Sequence, residues 1–193
     1  MTQLKLFGIP GALRQVSANR KLLAAARHAF GSADYAEADL RLPLYDGDDE
    51  VRTGIPAPVQ RLADQISAAD AVIISTPEYN RAPPGVLKNA LDWISRTPGR
   101  PFRDKPLAIM SVADGPGGGD RSQYALRLML VSFRPMLVNG PELAIPSAST
   151  AFDAEGHLTS ERHRAALAEL MDTLRAAASQ HGRRTRPPTS QRN

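Results

Sequence analysis

Short apolar segments alternate with longer amphipathic segments along most of the chain. The short segments combine β-branched residues with an unbroken apolar run or with apolar–polar alternation, which is typical of strands. They lie at residues 4–9, 36–42, 71–74, 106–112 and 136–138. Apolar residues at helical spacing predict helices at residues 17–30, 56–69, 85–94, 120–133 and 159–180. Because helices separate the strands, the pattern predicts an α/β fold with a doubly wound, five-stranded parallel sheet and helices on both faces.

The segment at residues 71–74, Ala-Val-Ile-Ile, has the pattern of a strand that is buried on both faces. Pro77 ends it, because proline has no N–H to donate to a neighbouring strand. Glu78, Tyr79 and Asn80 then place a carboxylate, a phenol and an amide in a loop that prolines flank. Loops at the carboxyl end of a central strand hold ligands in open α/β sheets. This loop is therefore interpreted either as a site for a flat heteroaromatic ligand or as a proline-rich turn with incidental polar residues.

Two other predicted loops also follow strands and therefore lie at the same edge of the sheet. The first contains Gly11, Arg14, Ser17 and Asn19, so backbone amides, a guanidinium, a hydroxyl and a side-chain amide can bind one phosphate group. It matches neither the P-loop nor the dinucleotide fingerprint, and Ser17 is equally well explained as a plain helix cap. The other loop, residues 113–119, has four glycines, which either let the backbone approach a ring closely or form a flexible turn.

Composition narrows the class of protein. With 193 residues, of which 42% are hydrophobic, the chain is long enough for one globular domain with a sizeable core. No apolar run approaches the roughly 18 residues that span a bilayer, and no signal-peptide pattern opens the chain, so we expect a cytoplasmic protein without membrane contact. The absence of cysteine excludes disulfides and a cysteine nucleophile, so redox chemistry requires a bound cofactor. The four histidines are dispersed and indicate no metal site.

The net charge of +4 comes from the end of the chain. Four arginines lie in the last eleven residues, which contain no acid, and the remainder has 20 basic and 20 acidic residues. A neutral body lacks the basic face that a nucleic acid requires, so no nucleic-acid partner is expected. The predicted organisation is a single domain at residues 1–181 and a basic, disordered tail at residues 182–193. Residues 46–54 are predicted to form an acidic loop.

Three motifs together resemble NADPH-dependent FMN reductases, and more narrowly the flavodoxin-like quinone, chromate and azo-dye reductases. The motifs are Gly11-x-x-Arg14-x-x-Ser17-x-Asn19, Thr76-Pro-Glu-Tyr-Asn80 and Gly85-x-x-Lys88-Asn89-Ala90-x-Asp92-Trp93. The glycine loop is a further common feature, and the resemblance extends from about residue 4 to residue 145. It implies that the doubly wound sheet is of the flavodoxin-like kind.

The resemblance implies a noncovalent FMN as the cofactor and NADPH or NADH as the co-substrate. The FMN phosphate would lie in the first loop, and the ring would lie against the second and third loops. The implied cofactor-binding residues are Gly11, Ala12, Leu13, Arg14, Ser17, Asn19, Pro77, Glu78, Tyr79, Asn80 and Gly115. Because the flavin carries the bond chemistry, no catalytic acid or base is assigned.

The implied activity is a ping-pong reaction in which hydride passes from NAD(P)H to FMN and electrons then pass to a small-molecule acceptor such as a quinone. Chromate, azo dyes and ferric complexes are further candidate acceptors. A non-enzymatic electron carrier of flavodoxin type and a flavin-binding regulatory module are the alternatives, and the neutral body argues against the carrier. The family also implies a homodimer or homotetramer, with residues 45–49 and the helix of Trp93 near the subunit contact. Trp93 is interpreted as a packing residue or as a substrate platform.

We predict a different role for each of three side chains in the second loop. Glu78 is expected to point away from the flavin edge that becomes anionic on reduction, or toward a ring N–H or the loop backbone, since a carboxylate at that edge would repel the developing charge. Tyr79 is expected to form one wall of the acceptor site, and Asn80 is expected to brace the loop.

Three positions depart from the family pattern. Ala12 stands where the family usually has serine, so one hydroxyl directed at the phosphate is missing. A hydrogen bond to a charged group is worth about 1.5–3 kcal/mol, so a reduced affinity for FMN is expected. Val112 and Ala113 stand where serines are common, which affects contacts with the edge of the flavin.

Overall fold

The strands that build the sheet are mostly short and apolar. The computed structural model describes residues 3–185. The strands are β1 (Lys5–Pro10), β2 (Asp34–Glu37), β3 (Ala71–Ser75), β4 (Pro106–Val112), β5 (Met136–Leu137) and β6 (Ala144–Ile145). Every residue of β3 and β4 is buried, so these two strands form the centre of the sheet.

The strand order is β2-β1-β3-β4-β5, and all neighbouring strands are parallel. The chain moves outward in one direction from β1 to β2 and in the other direction from β1 to β3, so the topological switch point lies between β1 and β3. Two short strands share the fifth position of the sheet, beside β4: β5 pairs with the start of β4, and β6 pairs with its end. The predicted doubly wound, five-stranded parallel sheet is therefore confirmed.

Helices cover both faces of this sheet. The helices are α1 (Ala18–Phe30), α2 (Gly47–Thr53), α3 (Ala57–Ala68), α4 (Gly85–Arg96), α5 (Asp120–Leu130) and α6 (Glu161–Thr185). One core joins α1 and α6 to one face of the sheet, and a second core joins α3, α4 and α5 to the other face. Within the described residues 3–185, no helix has the length and apolar character needed to cross a membrane.

The ends of α1 show how local sequence sets an element. The Ser17 hydroxyl accepts a hydrogen bond from the Arg20 N–H at 3.3 Å, which satisfies one of the free amides at the start of the helix. Gly31 ends the helix with a φ of 83°, a conformation that glycine adopts without steric cost. The predicted helix at residues 17–30 is confirmed, and the predicted strand at residues 106–112 matches β4.

Three sequence predictions need correction. The second strand covers Asp34–Glu37 rather than residues 36–42. Ala38 makes the last backbone bond to β1, donating to the Gly8 carbonyl at 2.9 Å, and Leu40 beyond it only packs on the core. Residues 46–54 contain the helix α2 rather than only a loop, since Asp46 caps its first turn and three acids lie near its positive end. Residues 182–185, predicted as the start of the tail, belong to α6, which continues to Thr185, and the remaining predicted tail at residues 186–193 lies outside the described part of the chain.

Candidate active site

Three loops meet at one edge of the sheet. They follow the carboxyl ends of β1, β3 and β4, which are adjacent in the strand order, so residues 11–17, 76–84 and 113–119 lie beside one another. The switch point lies between the first two loops, where open α/β sheets bind ligands. The structure therefore brings together the loops that carry the predicted cofactor-binding residues.

The first loop has a run of unused hydrogen-bond donors. Gly11 donates to the Ser75 carbonyl at 2.8 Å and passes so close to Thr76 that a Cβ would lie 2.8 Å from the Thr76 Cα. Within the described chain, none of the backbone N–H groups of residues 12–16 donates a hydrogen bond. Backbone N–H groups rarely remain unpaired unless water or a ligand accepts from them. Just before the positive end of α1, such a run suits an anion.

Arg14 and Ser17 add side-chain donors to the first loop. Arg14 is exposed, and it has no ion-pair partner among residues 3–185. The Ser17 oxygen accepts the bond that caps α1, so its own proton is free to be donated outward. Ala12 is buried and offers only its backbone N–H, as its sequence implies. The loop therefore has a donor set for one phosphate group.

Asn19 has different partners from those that the sequence suggested. Its side chain is 4% exposed, and its Nδ2 donates to the Val112 carbonyl at 2.9 Å. Its Oδ1 accepts from the Ser75 hydroxyl at 2.9 Å and from the Val112 N–H at 3.2 Å. The Asn19 amide therefore ties α1 to the carboxyl ends of β3 and β4, and it is engaged by the protein rather than directed at a phosphate.

The second loop is fastened to the start of α5. The Ser122 hydroxyl donates to the Pro77 carbonyl at 2.9 Å and lies 3.3 Å from the Thr76 hydroxyl. Ser122 is fully buried, so these bonds are protected from water. Ser122 is not among the site residues predicted from the sequence, although a polar residue in the first turn of a helix after a glycine loop is a usable signal.

Glu78 points at the same helix. One carboxylate oxygen accepts from the Ser122 N–H at 3.4 Å, and the other lies 3.8 Å from a guanidinium nitrogen of Arg121. The side chain of Glu78 is only 17% exposed. The positive end of α5 and the Arg121 charge both stabilise this carboxylate. The carboxylate therefore has protein partners at the start of α5.

Tyr79 and Asn80 lie in a tight turn. Tyr79 and Ala82 exchange two backbone hydrogen bonds, of 2.9 and 3.1 Å, and the intervening Asn80 and Arg81 have φ values of 52° and 66°. Positive φ at both central positions is the type I′ arrangement, which asparagine tolerates better than arginine does. In the described chain the Asn80 side chain forms no hydrogen bond, so Asn80 shapes the loop through its backbone. The Tyr79 side chain is 53% exposed at the mouth of the site.

The third loop packs tightly at its end and is open at its start. A Cβ on Gly118 would lie 2.5 Å from backbone atoms of Ala144, whereas Gly115 has open space around it. The Ser111 hydroxyl donates to the Gly118 carbonyl at 2.7 Å, and the Gln123 amide donates to that hydroxyl at 2.8 Å. Gln123 and Ser122 lie in the same helical turn, so α5 holds the second and third loops together.

The Trp93 ring is engaged by the protein. Trp93 is 1% exposed and donates its indole N–H to the Pro43 carbonyl at 2.9 Å. The Tyr45 ring packs edge-on against it, with ring centroids 5.0 Å apart. No ring face is left for a substrate, so Trp93 is a packing residue that holds the chain before α2 against α4.

The residues at this edge fit a flat heteroaromatic ligand that carries one phosphate. The unpaired amides of residues 12–16, with Arg14 and Ser17, suit one phosphate, and α1 begins directly afterwards. The open Gly115 allows a ring to approach the backbone. These are the features that FMN requires.

Comparison with known proteins gives the family. A family model described as NADPH-dependent FMN reductase matches residues 4–150. An NAD(P)H-dependent FMN reductase of Pseudomonas aeruginosa is 42% identical over 176 residues, which cover 89% of this chain and 93% of that protein. An NADPH:quinone oxidoreductase of Arabidopsis thaliana is 36% identical over 180 residues, which cover 90% of this chain and 91% of that protein.

A solved structure of a similar fold also belongs to a flavoenzyme oxidoreductase. FerB, a flavoenzyme NAD(P)H:(acceptor) oxidoreductase from Paracoccus denitrificans, superposes with a TM-score of 0.82 at 30% identity and covers 93% of this chain and 99% of its own. The predicted fold class, the enzyme class and the dependence on FMN and NAD(P)H are confirmed. The chain therefore belongs to the NADPH-dependent FMN reductase family.

Proposed function

We propose that this enzyme uses NAD(P)H to reduce quinones or similar small acceptors, and that the run of unpaired amides at residues 12–16 carries its FMN phosphate. The names of the Pseudomonas and Arabidopsis relatives support the donor and the acceptor class. FMN bound at this edge would supply the redox chemistry, which is the transfer of electrons from NAD(P)H to the acceptor. The protein supplies binding, orientation and charge.

We assign the phosphate to the first loop and the flavin ring to Pro77, Glu78, Tyr79, Asn80 and Gly115. Arg14 and Ser17 complete the donor set around the phosphate, while Gly11, Ala12 and Leu13 contribute backbone. Neutral N–H groups in the second loop suit an edge that gains negative charge, because they stabilise that charge without needing to move. The Glu78 carboxylate is held at α5, so it does not oppose that charge.

Tyr79 is proposed to select the acceptor. Its ring is half-exposed at the mouth of the site, and within residues 3–185 no hydrogen bond holds the Tyr79 side chain in place. A quinone is flat and apolar, so a phenol ring offers it a matching surface. Azo dyes are also flat and aromatic, whereas chromate and ferric complexes are not, and we propose all three as secondary acceptors.

The assembly is proposed to be a homodimer or a homotetramer. Leu44 and Val51 are 82% and 89% exposed; Leu44 precedes Tyr45 in the chain, and Val51 lies in α2. Exposed apolar side chains grouped in this way are typical of surfaces that another protein covers. The segment from Pro43 to Tyr45 is bound to α4. The Asn89 side chain accepts a hydrogen bond from the Tyr45 N–H at 2.8 Å and donates one to the Pro43 carbonyl at 2.9 Å. A cytoplasmic location, where NAD(P)H is available, completes the proposal.

Steady-state NADPH oxidation with a quinone tests the activity, and FMN titration tests the site. The double variant Arg14→Ala/Ser17→Ala is expected to raise the dissociation constant for FMN at least tenfold, because two donors to a charged group are lost. The matched control Ser32→Ala/Arg61→Ala, which removes the same groups from distant exposed positions, should leave it unchanged. Equal FMN affinity in both double variants would refute the phosphate assignment.

A third variant separates the acceptor site from the FMN site. Tyr79→Ala should change the ratio of kcat/KM between a quinone and ferricyanide while FMN remains bound. An unchanged ratio would refute the role of Tyr79 without affecting the phosphate assignment. Light scattering at micromolar concentration tests the assembly, and a monomer alone would refute it.

A further inference from the structure

A second cavity lies at the opposite edge of the sheet from the proposed FMN site. It has a volume of about 310 Å³ and lies between the end of α4, the segment before β4 and the segment before β5. These segments lead into the amino ends of β4 and β5, so no residue of the three FMN loops takes part. Cavities of about 300 Å³ and more are the size that small organic ligands occupy.

Three arginines and no acid line this cavity. They are Arg100, Arg103 and Arg134. Arg103 approaches Asp104 at 3.7 Å, but the Asp104 side chain is 77% exposed and points its charge largely at solvent. Within residues 3–185, Arg100 and Arg134 have no ion-pair partner. Three like charges around one cavity repel one another and create a positive potential, which an anion would neutralise.

Backbone strain is concentrated at the same place. Outside glycine, only six of the described residues have a positive φ. Two of them are Asn80 and Arg81 in the second loop of the proposed FMN site. Three others are Arg100, Asp104 and Arg134, with φ values of 49°, 57° and 54°. Such conformations cost about 1–2 kcal/mol each outside glycine and cluster at sites where they serve a ligand.

One wall of the cavity is apolar. Phe102 and Phe133 pack edge-to-face with their ring centroids 5.7 Å apart, and Ile94 lies beside them. The hydroxyls at the rim are already used, since Ser95 donates to the Asp92 carbonyl and Thr97 donates to the Ile94 carbonyl. The guanidinium groups are therefore the free donors, and a ligand must combine negative charge with an apolar body.

We propose that this cavity binds a small organic anion that carries at least two negative charges on a flat apolar body, such as an aromatic polycarboxylate. The anionic groups would pair with Arg100 and Arg134, for which a guanidinium offers paired N–H donors to a carboxylate. The apolar body would lie against Phe133. The alternative is that the arginines only offset the negative carbonyl ends of α4 and of the short helix Val131–Phe133, which follows α5.

Calorimetric titration of the FMN-loaded enzyme with benzene-1,3,5-tricarboxylate tests the site. At low ionic strength we expect a dissociation constant below about 1 mM. The variant Arg100→Ala/Arg134→Ala should weaken binding at least tenfold, whereas the control Arg41→Ala/Arg61→Ala, with the same change of charge, should retain it. No binding to the parent enzyme, or equal weakening in both double variants, would overturn the proposal.

A glycine substitution separates the two explanations. Arg100→Gly removes the charge and relieves the positive φ, so we expect tricarboxylate binding to weaken at least tenfold while the Tm rises by about 2–4 °C. If Arg100 only offsets the end of α4, the Tm should still rise because the positive φ is relieved, but tricarboxylate binding should stay unchanged, and unchanged binding would refute the site.

Discussion

Asn19→Ala is expected to destabilise the fold rather than only weaken FMN binding. The Asn19 side chain satisfies three groups at the sheet edge, namely the Ser75 hydroxyl and both backbone groups of Val112. A buried polar group that loses its partner costs about 1–3 kcal/mol. Since water can reach part of the vacated space, we expect a loss of roughly 4 kcal/mol from a total stability of about 5–15 kcal/mol. For a domain of this size the Tm should fall by about 8–16 °C.

Urea unfolding of the FMN-free protein measures this loss without a contribution from the ligand. Ser75→Ala should cost only about 1 kcal/mol, because Asn19 keeps both bonds to Val112. Asn139→Ala, at an exposed position, should lie within about 0.5 kcal/mol of the parent protein. An Asn19→Ala variant with normal stability but weak FMN binding would assign the amide to the phosphate and refute this reasoning.

Other substitutions test further parts of the structure. Burial raises the pKa of Tyr35 to about 12 from 10, so the fold keeps a proton that the unfolded chain releases, and the unfolding free energy should fall between pH 10 and 12. Tyr35→Phe should flatten that fall in urea titrations. Gly118→Ala should cost about 2–5 kcal/mol, because its φ is positive and its Cβ would strike the backbone of β6, while Gly85→Ala should be neutral or slightly stabilising in the same unfolding assay. Ser122→Ala should weaken FMN binding about tenfold in fluorescence titrations by releasing the second loop, whereas the exposed Ser132→Ala should not.

The sequence predicts those parts of the fold that depend on neighbouring residues. The unbroken apolar run at residues 71–74 predicts β3, because a strand that is buried on both faces has apolar residues at every position. Ser17 and Gly31 mark the ends of α1 through capping, which acts within one helical turn. The positions of the three loops at one edge then follow from the parallel order of the strands.

Other features depend on residues that are far apart in the chain. Asn19 bonds to residues that are 56 and 93 positions away, so no local pattern distinguishes this tie from a phosphate ligand. Ser122 acts on the second loop from 45 positions away. The strand β6 has only two residues and forms because β4 offers it a free edge. The helix α2 could not be predicted, because acidic residues and glycines such as those at its two ends are also typical of loops.

Identification of the flavin released from the purified protein tests the central claim most directly. The protein is heated, and the released chromophore is separated by chromatography and compared with FMN, FAD and riboflavin standards. The first loop has donors for one phosphate and is followed at once by α1, so we expect FMN at about one molecule per chain, after reconstitution if the affinity is low. Recovery of FAD, or no bound flavin after reconstitution with excess FMN, would contradict the proposed site.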